Sequence, residues 1–425
     1  MAGLPEQLDA KEDYMKIERL GILLIAAVLV SFGLSNNSFA FHSGGVADCM
    51  GCHEMHNAAS GPNLLVGHDE SSTCLNCHAG SGDFHVLTPD SQMTPGIAPQ
   101  NMGPGGDFGW LKKNYFFTVL GAPSTEMGQT HGHNVIAIDF GLSVDTDNPT
   151  APGGTFTSSL LACTSCHDMH GQGRYLTTGV YAKTGQAIYT SGSYGAIPSV
   201  QASGNYATGV YRLLRGGGDT LNGVTFALNP PVAVTNSNYN RSEFYTQTRT
   251  AYGSAMSDFC GVCHPDMHTT AGIIRHPTGV VMSATVQGNY NSYVMSGNMT
   301  GVATSSYLSL VPYEEGLTYS TANISLLKSH AQTDDSQLVG PSGGATIMCL
   351  SCHRAHATGF GTMTRWQTQT DFIVSNGLYP GTDNSESALA RGHSSQETAA
   401  AYYNRNVTKF AGFQRQLCNK CHAMD

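Results

Sequence analysis

The stretch Cys49-Met50-Gly51-Cys52-His53 decides how this chain folds. Two cysteines three positions apart, followed at once by a histidine, form the C-x-x-C-H motif, which attaches a haem covalently. Because residues i and i+3 project from the same side of a helical turn, both thiols reach the two vinyl groups of one porphyrin. The histidine then lies under the iron as its proximal axial ligand. The stretch therefore predicts one c-type haem.

The motif occurs six times and uses all 12 cysteines, so we predict six covalently bound c-type haems. Zinc knuckles and thioredoxin-like cysteine pairs are the alternatives, but neither explains a histidine at every fifth position. The predicted attachment residues are Cys49, Cys52, Cys74, Cys77, Cys163, Cys166, Cys260, Cys263, Cys349, Cys352, Cys418 and Cys421. The predicted proximal ligands are His53, His78, His167, His264, His353 and His422.

The composition predicts little regular secondary structure. Charged residues make up 12% of the chain, against roughly 25% in a typical soluble domain. The segments between motifs are long and rich in Gly, Ser, Thr, Asn and Tyr, which in an ordinary domain would count against a compact fold. Here porphyrin faces can supply much of the hydrophobic core. We expect a mostly irregular, coil-rich multihaem cytochrome c with short α-helices and few β-strands, wrapped around a haem chain.

Local patterns predict a few elements within this irregular chain. A short helix is expected at each C-x-x-C-H motif, and apolar residues at helical spacing predict a longer helix over residues 396–410. Short strands are expected at 135–140 and 306–312. Residues 216–218, three glycines, predict a turn. The acidic stretch 145–148 is interpreted as a polar loop, with a calcium contact as the alternative.

The N-terminus predicts export. Residues 20–34 form a 15-residue apolar run, shorter than the roughly 20 residues of a membrane span. Ser38-Phe39-Ala40 follows as a small-x-small site for signal peptidase. We expect a signal peptide over residues 1–40 and one hexahaem cytochrome c domain over residues 41–425. The acidic segment before Tyr14 makes Met15 an alternative start, and an uncleaved membrane anchor is the alternative interpretation.

The predicted mature chain is acidic. Residues 1–40 hold 3 of the 20 basic and 5 of the 30 acidic residues, so their removal leaves a net charge of −8. An acidic chain without a basic patch excludes nucleic acid as a partner. No stable membrane span is expected after signal cleavage.

The histidine inventory allows a second histidine on every iron, because 12 of the 18 histidines are not proximal ligands. Four of the 12 lie one helical turn after a proximal ligand: His56, His170, His268 and His356. Two histidines one turn apart point the same way and cannot bind opposite faces of one haem. Each of these four would therefore reach a different haem, which brings neighbouring haems close together.

Further histidines are candidates for the remaining distal positions. They are His42, His85, His133, His276 and His330, with His68, His131 and His393 ranked behind them. His133 is preferred to His131 because it leads into the apolar run 135–138. Methionine ligation would raise haem potentials, but methionine is usually core filler. We therefore favour six low-potential sites with two histidines each.

Six closed irons indicate electron transfer rather than catalysis. An enzyme needs an iron with an exchangeable position and an acid–base group beside it. The chain lacks the lysine-ligated C-x-x-C-K motif of multihaem enzymes resembling nitrite reductase. We predict an electron-transfer protein that is not an enzyme. A monomeric periplasmic electron shuttle and a multihaem reductase are the alternatives.

Several stretches resemble one family closely: residues 41–47, 104–113, 349–360 and 399–422. They are similar to the outer-surface hexahaem c-type cytochromes of metal-reducing bacteria that form conductive filaments, the OmcS-like cytochrome nanowire family. The resemblance extends over nearly the whole mature chain and is weakest over residues 177–234.

The resemblance implies subunits stacked into a filament with a continuous chain of bis-histidine haems. It implies an outer-surface or extracellular location, with the periplasm as the alternative, and partners that include other multihaem cytochromes and extracellular acceptors such as metal oxides. In the family, the histidine three residues after the first motif ligates a haem of the neighbouring subunit, a role that would fall to His56. Nine distal candidates have counterparts: His42, His56, His85, His133, His170, His268, His276, His330 and His356. His68, His131 and His393 do not match.

Overall fold

The computed structural model describes residues 49–80, 84–93, 97–183, 200–202, 205–236, 248–268, 277–332 and 337–424. All of them belong to the unit Phe41–Asp425. The predicted signal peptide, the alternative start at Met15 and the candidates His42 and His276 lie outside the described residues. The division into a signal peptide and one mature domain therefore stays a prediction.

The α-helices of the described residues are short and are connected by long irregular segments. They are α1 (Cys49–Cys52), α2 (Glu70–His78), α3 (Cys163–Cys166), α4 (Met256–Gly261), α5 (Pro265–His268), α6 (Ala284–Ser292), α7 (Thr321–His330), α8 (Ser387–Ala390), α9 (Ser395–Ala401) and α10 (Asn419–His422). Single 3₁₀ turns are frequent between them, and one of these, Cys349–Ser351, carries the fifth motif. No helix within this described part is long and apolar enough to cross a membrane.

The β-strands pair only in small antiparallel sheets. The strands are β1 (Tyr115–Val119), β2 (Ala122–Glu126), β3 (Gly173–Leu176), β4 (Tyr181–Lys183), β5 (Val200–Ala202), β6 (Asn205–Gly209), β7 (Asp219–Leu221), β8 (Val224–Phe226), β9 (Ala233–Val234), β10 (Ala251–Tyr252), β11 (Phe372–Val374) and β12 (Gln414–Arg415). The largest sheet has the order β4-β3-β6-β5, and the others are two-stranded. The predicted fold class, mostly coil with short helices and few strands, is confirmed.

A helical turn occurs at each of the six motifs, as predicted. In α2, the Asp69 side chain accepts a hydrogen bond from the Ser72 backbone N–H and caps the helix, which satisfies one of the amide groups that a helix start leaves open. The predicted turn at 216–218 is also present, with Gly217 and Gly218 in the left-handed region.

The predicted helix over residues 396–410 is wrong in length, because α9 ends at Ala401. Tyr403 and Asn404 adopt φ values of 58° and 52°, which a right-handed helix cannot contain. The chain turns here so that the Tyr403 hydroxyl can donate to the Gly103 carbonyl at 2.7 Å. A long-range contact therefore overrides the local periodicity.

The two predicted strands are also absent. Residues 138–140 form a 3₁₀ turn, and residues 306–312 are irregular. In the second segment the buried Tyr290 hydroxyl accepts from the Leu308 amide at 3.1 Å and donates to the Val311 carbonyl at 2.7 Å. Because this side chain satisfies the backbone groups, the segment is buried without a partner strand.

A buried carboxylate organises the loops around the second motif. Asp107 is fully buried and accepts hydrogen bonds from the Thr88 amide at 3.0 Å and hydroxyl at 2.5 Å, the Asn101 amide at 2.9 Å and the Gly109 amide at 2.7 Å. Burial raises the pKa of Asp107, and these donors oppose the rise. One side chain thus joins two irregular segments, at Thr88 and Asn101, to the start of the 3₁₀ helix Phe108–Lys112.

Replacing this carboxylate should destabilise the fold strongly. In Asp107→Asn, a neutral amide would face several N–H donors, so we expect the free energy of unfolding to fall by about 3 kcal/mol or more. Guanidinium titration of the haem-loaded protein measures this. Asp90→Asn is the control, because the Asp90 side chain is 73% exposed and its pair with Lys112 contributes about 1 kcal/mol at most. Equal effects of the two substitutions would contradict the prediction.

Candidate haem sites

In most of the motif histidines, the Nδ1 atom of the ring is hydrogen-bonded to the backbone. The Nδ1 atoms of five of them lie 2.6–3.0 Å from backbone carbonyl oxygens: His53 to Asn63, His78 to Phe84, His167 to Arg212, His264 to Pro152 and His353 to Thr362. An Nδ1–H that donates to a carbonyl fixes the tautomer and leaves Nε2 as the metal ligand. The five rings therefore have the arrangement that proximal haem ligands require.

The thiols of consecutive motifs lie beside each other. Cys74 of the second motif shares a hydrogen bond with Cys163 of the third, and Cys260 of the fourth shares one with Cys349 of the fifth. These contacts join the first cysteine of one motif to the first cysteine of the next.

The other three junctions involve second cysteines. Burial is the largest cause of the raised pKa values of Cys52, Cys166 and Cys352. Nearby thiols of the adjacent motif raise these pKa values further: Cys77 for Cys52, Cys263 for Cys166, and Cys418 and Cys421 for Cys352. Motifs that are consecutive in the sequence are thus near each other in space, and the nearest cysteines alternate between second and first positions. Haems attached to these cysteines would therefore lie in one series.

Two distal candidates lie opposite motif histidines at a distance that suits one iron. The ring centroids of His133 and His264 are 6.1 Å apart, and those of His167 and His356 are 6.4 Å apart. An iron about 2 Å from each Nε2 places the two ring centroids roughly 6 Å apart. His356 thus faces the histidine of the third motif, although it lies three residues after that of the fifth.

Glycines bring the segments that carry His133 and His356 together. A Cβ on Gly132 would lie 2.2 Å from the His356 carbonyl oxygen, and one on Gly105 would lie 2.7 Å from His356 Nδ1. The His133 amide donates to the His356 carbonyl at 2.9 Å. Neither glycine was predicted from the sequence as part of the site, and only the short spacing in His131-Gly132-His133 could have indicated this close approach.

Burial keeps several of these imidazoles neutral. Removal from water, followed by the nearby His167 and His133, lowers the pKa of His356 to about 3. Burial also lowers the pKa values of His78, His133 and His353. Since an axial ligand must present an unprotonated Nε2, a lowered pKa favours metal binding.

The other distal candidates have varied surroundings. His85 lies close to His78, and His268 lies close to Cys349, with its Nδ1 2.8 Å from the Thr278 hydroxyl. The Nδ1 of His330 lies 2.9 Å from the carboxylate of Glu315. His56 and His170 are exposed.

The three histidines ranked last have other partners. His68 is exposed and pairs with Asp139 at 2.6 Å. His131 and His393 are buried next to Tyr115, whose ring stacks on His393 at 3.7 Å, and their Nε2 atoms lie 3.1 and 3.5 Å from Glu126. This buried cluster of Glu126, His131 and His393 was not anticipated from sequence.

The stretch 145–148 forms a turn closed by its own side chain. Asp145 Oδ1 accepts from the amides of Asp147 and Asn148 at 2.9 Å each. The carboxylate is occupied by local hydrogen bonds, which agrees with the interpretation as a polar loop.

Six haem-attachment turns with oriented histidines define a hexahaem c-type cytochrome, an electron-transfer protein. The C-type cytochrome OmcS of Geobacter sulfurreducens is 46% identical to this chain in an alignment of 431 positions, which covers 94% of this chain and 97% of that relative. The chain therefore belongs to the OmcS family of c-type cytochromes. No protein-family model matches it.

Two solved structures have the same fold. One is a cryo-EM structure of the OmcS nanowires of Geobacter sulfurreducens, with a TM-score of 0.82 at 44% identity. The other is an outer membrane cytochrome S filament of the same organism, with a TM-score of 0.82 at 45% identity. Each match covers 91% of this chain and all of the solved chain. The resemblance found in the sequence is thereby confirmed.

The buried Glu126 predicts a specific loss of stability in acid. Burial opposes its ionisation, but the hydrogen bond with His131 at 3.1 Å and the nearby imidazole of His393 outweigh burial and lower the pKa of Glu126 to about 2. A carboxylate with a depressed folded-state pKa stabilises the fold above the unfolded value of about 4.3, and this contribution disappears as pH falls towards 2. We expect a loss on the order of 2 kcal/mol over that window. Acid-unfolding curves of Glu126→Gln should lack this loss, and a curve parallel to that of the unmodified protein would contradict the assignment.

Proposed function

We propose that this chain is an extracellular filament subunit that conducts electrons through six bis-histidine haems towards acceptors outside the cell. The observation that carries the proposal is the meeting of consecutive motif thiols in sequence order, because it implies an unbranched route from the first motif to the sixth. The relatives, whose solved structures are filaments, support the polymeric form. Metal oxides and other multihaem cytochromes are the proposed acceptors and partners.

We place the protein at the cell surface after removal of residues 1–40. The apolar run and the small-x-small site support export, and the relative solved as an outer membrane cytochrome filament supports the outer location. The periplasm is the alternative location.

The first motif is the proposed end that meets the next subunit. Its Met50 and the nearby Met55 are 84% and 80% exposed, and His56 is exposed beside them. In the last motif, by contrast, Lys420 is buried and its ammonium lies 4.4 Å from the centre of the Tyr290 ring. Exposed apolar side chains beside an exposed imidazole suit a contact in which His56 ligates a haem of a second copy.

Two axial pairs follow from the ring geometry. We assign His133 with His264 to the fourth haem and His356 with His167 to the third, on the strength of their centroid separations. Distal positions on the other haems fall to members of the remaining set, His42, His56, His85, His170, His268, His276 and His330. An iron with histidines on both faces has no open position for substrate, which favours conduction over a reductase activity.

Removing one distal histidine should open a single iron. In His133→Ala, we expect all six haems to stay attached and one to become high-spin, because the sixth ligand of the fourth haem is lost while its thioethers remain. EPR spectroscopy and carbon monoxide binding to the reduced protein measure this. His68→Ala, which removes an exposed histidine paired with Asp139, should leave six low-spin haems. A fully low-spin His133→Ala protein would refute this pairing, and carbon monoxide binding by the unmodified protein would favour the reductase.

Removing His56 should stop assembly without preventing haem attachment. We expect His56→Ala to retain the absorbance of six haems per chain and to remain as dispersed particles in electron micrographs, because a haem in the adjacent copy would lack its ligand. His68→Ala serves as the matched exposed histidine and should form filaments. Normal filaments from His56→Ala would exclude ligation between subunits. Dispersed particles from the unmodified protein at high concentration would instead support a monomeric shuttle.

A further inference from the structure

His330, the last residue of α7, has an unusual hydrogen-bond partner. Its Nδ1 lies 2.9 Å from both Oε1 and Oε2 of Glu315. The ring nitrogen donates its proton to the carboxylate, so Nε2 is the atom available to an iron. Among the proximal ligands and the distal candidates with family counterparts whose Nδ1 contact the structure describes, His330 is the one that faces a carboxylate. The others face backbone carbonyls or, for His268, a threonine hydroxyl.

The charge of the partner affects the iron. A carboxylate draws the Nδ1 proton towards itself and makes the imidazole more basic than a neutral carbonyl does. A more basic ligand stabilises the ferric state and lowers the reduction potential, since ligand basicity and nearby hydrogen bonds are among the protein's means of tuning a haem.

Arg249 binds the same carboxylate from another direction. Its guanidinium forms an ion pair with Glu315, donates to the Tyr313 hydroxyl at 3.1 Å and to the Val339 carbonyl at 2.8 Å, and lies 4.2 Å from the centre of the Tyr307 ring. A cation here attracts electron density from the carboxylate and weakens its pull on the imidazole. The two charges therefore act on His330 with opposite signs.

The three side chains are shielded from solvent and fixed by the fold. Their exposures are 2% for Arg249, 9% for Glu315 and 17% for His330, so water and salt screen their charges little. The Glu315 amide donates to the Tyr252 carbonyl at 2.9 Å. Leu327, in the last turn of α7, is fully buried. The geometry is thus set by the backbone and by packing around it.

We propose that Glu315 lowers and Arg249 raises the reduction potential of the haem that His330 ligates. The inference rests on the proposed function, in which His330 is a distal ligand. It adds to that function, because a haem with a different reduction potential would change the free energy of electron transfer at one defined position in the haem series.

The test is a spectroelectrochemical titration of the haem-loaded protein. In Glu315→Gln, an amide oxygen can still accept from Nδ1 but the charge is gone, so about one sixth of the haem absorbance should move to a more positive potential. A tenfold change in the oxidised-to-reduced ratio of that haem equals 59 mV for a one-electron couple. In Arg249→Gln, the same fraction should move to a more negative potential.

Controls separate tuning from a structural role. Asp139→Asn removes the carboxylate that contacts the Nδ1 of exposed His68 at 2.6 Å and should move no haem. A merely structural role of Glu315 and Arg249 would lower the free energy of unfolding in both variants without shifts of opposite sign. Shifts in the same direction, or no shift in either variant, would overturn the inference.

His330→Ala distinguishes a failure of the inference from a failure of its premise. One high-spin haem in this variant, together with an unshifted Glu315→Gln protein, would overturn the tuning role while His330 remains a ligand. Six low-spin haems in His330→Ala would remove His330 from the ligand set, and the inference with it. One high-spin haem together with opposite shifts in the two charge variants supports both.

Discussion

The covalent attachment of each porphyrin to a short turn of the chain is the constraint on which the rest of the structure depends. Two thioethers and one histidine fix a large apolar ring to five consecutive residues, so most segments need not bury an apolar face of their own. This explains why a chain with 50 glycines and a 12% charged fraction folds with few helices and strands. The fold can contain long irregular segments between motifs, because each segment begins and ends near a covalently attached haem.

A coil-rich interior must still satisfy its backbone groups, and here side chains do so. The Tyr290 hydroxyl both accepts from and donates to the backbone of the segment around Leu308. The Arg365 guanidinium donates to the Leu350 carbonyl at 2.6 Å, and Asp107 gathers amides from three segments. Such bonds replace the ladders of a sheet. They are specific to position, which gives an irregular chain one defined conformation.

The sequence could predict features that depend on local chemistry, but not those that depend on contacts between distant segments. The C-x-x-C-H spacing is local chemistry, and it predicted the haem number, the attachment residues and the helical turns at the motifs. The extent of α9 and the absence of strands at 306–312 depend on hydroxyl groups from distant segments, which no local pattern contains. His167 faces His356, which is distant in the sequence. Gly132 likewise packs against the backbone of His356. The family resemblance indicated which histidines matter but not which ring each one faces.

Burial links this architecture to conduction. A bis-histidine iron transfers electrons only while both imidazoles stay bound, and protonation of Nε2 would compete with the iron. His356, whose pKa is lowered by burial, faces His167 at a ring-centroid separation of 6.4 Å. Exclusion of water weakens screening, so a charge such as that of Glu315 acts on its haem more strongly than a surface charge would. The same burial would keep both imidazoles bound to a bis-histidine iron and would strengthen the effect of a buried charge on a single haem.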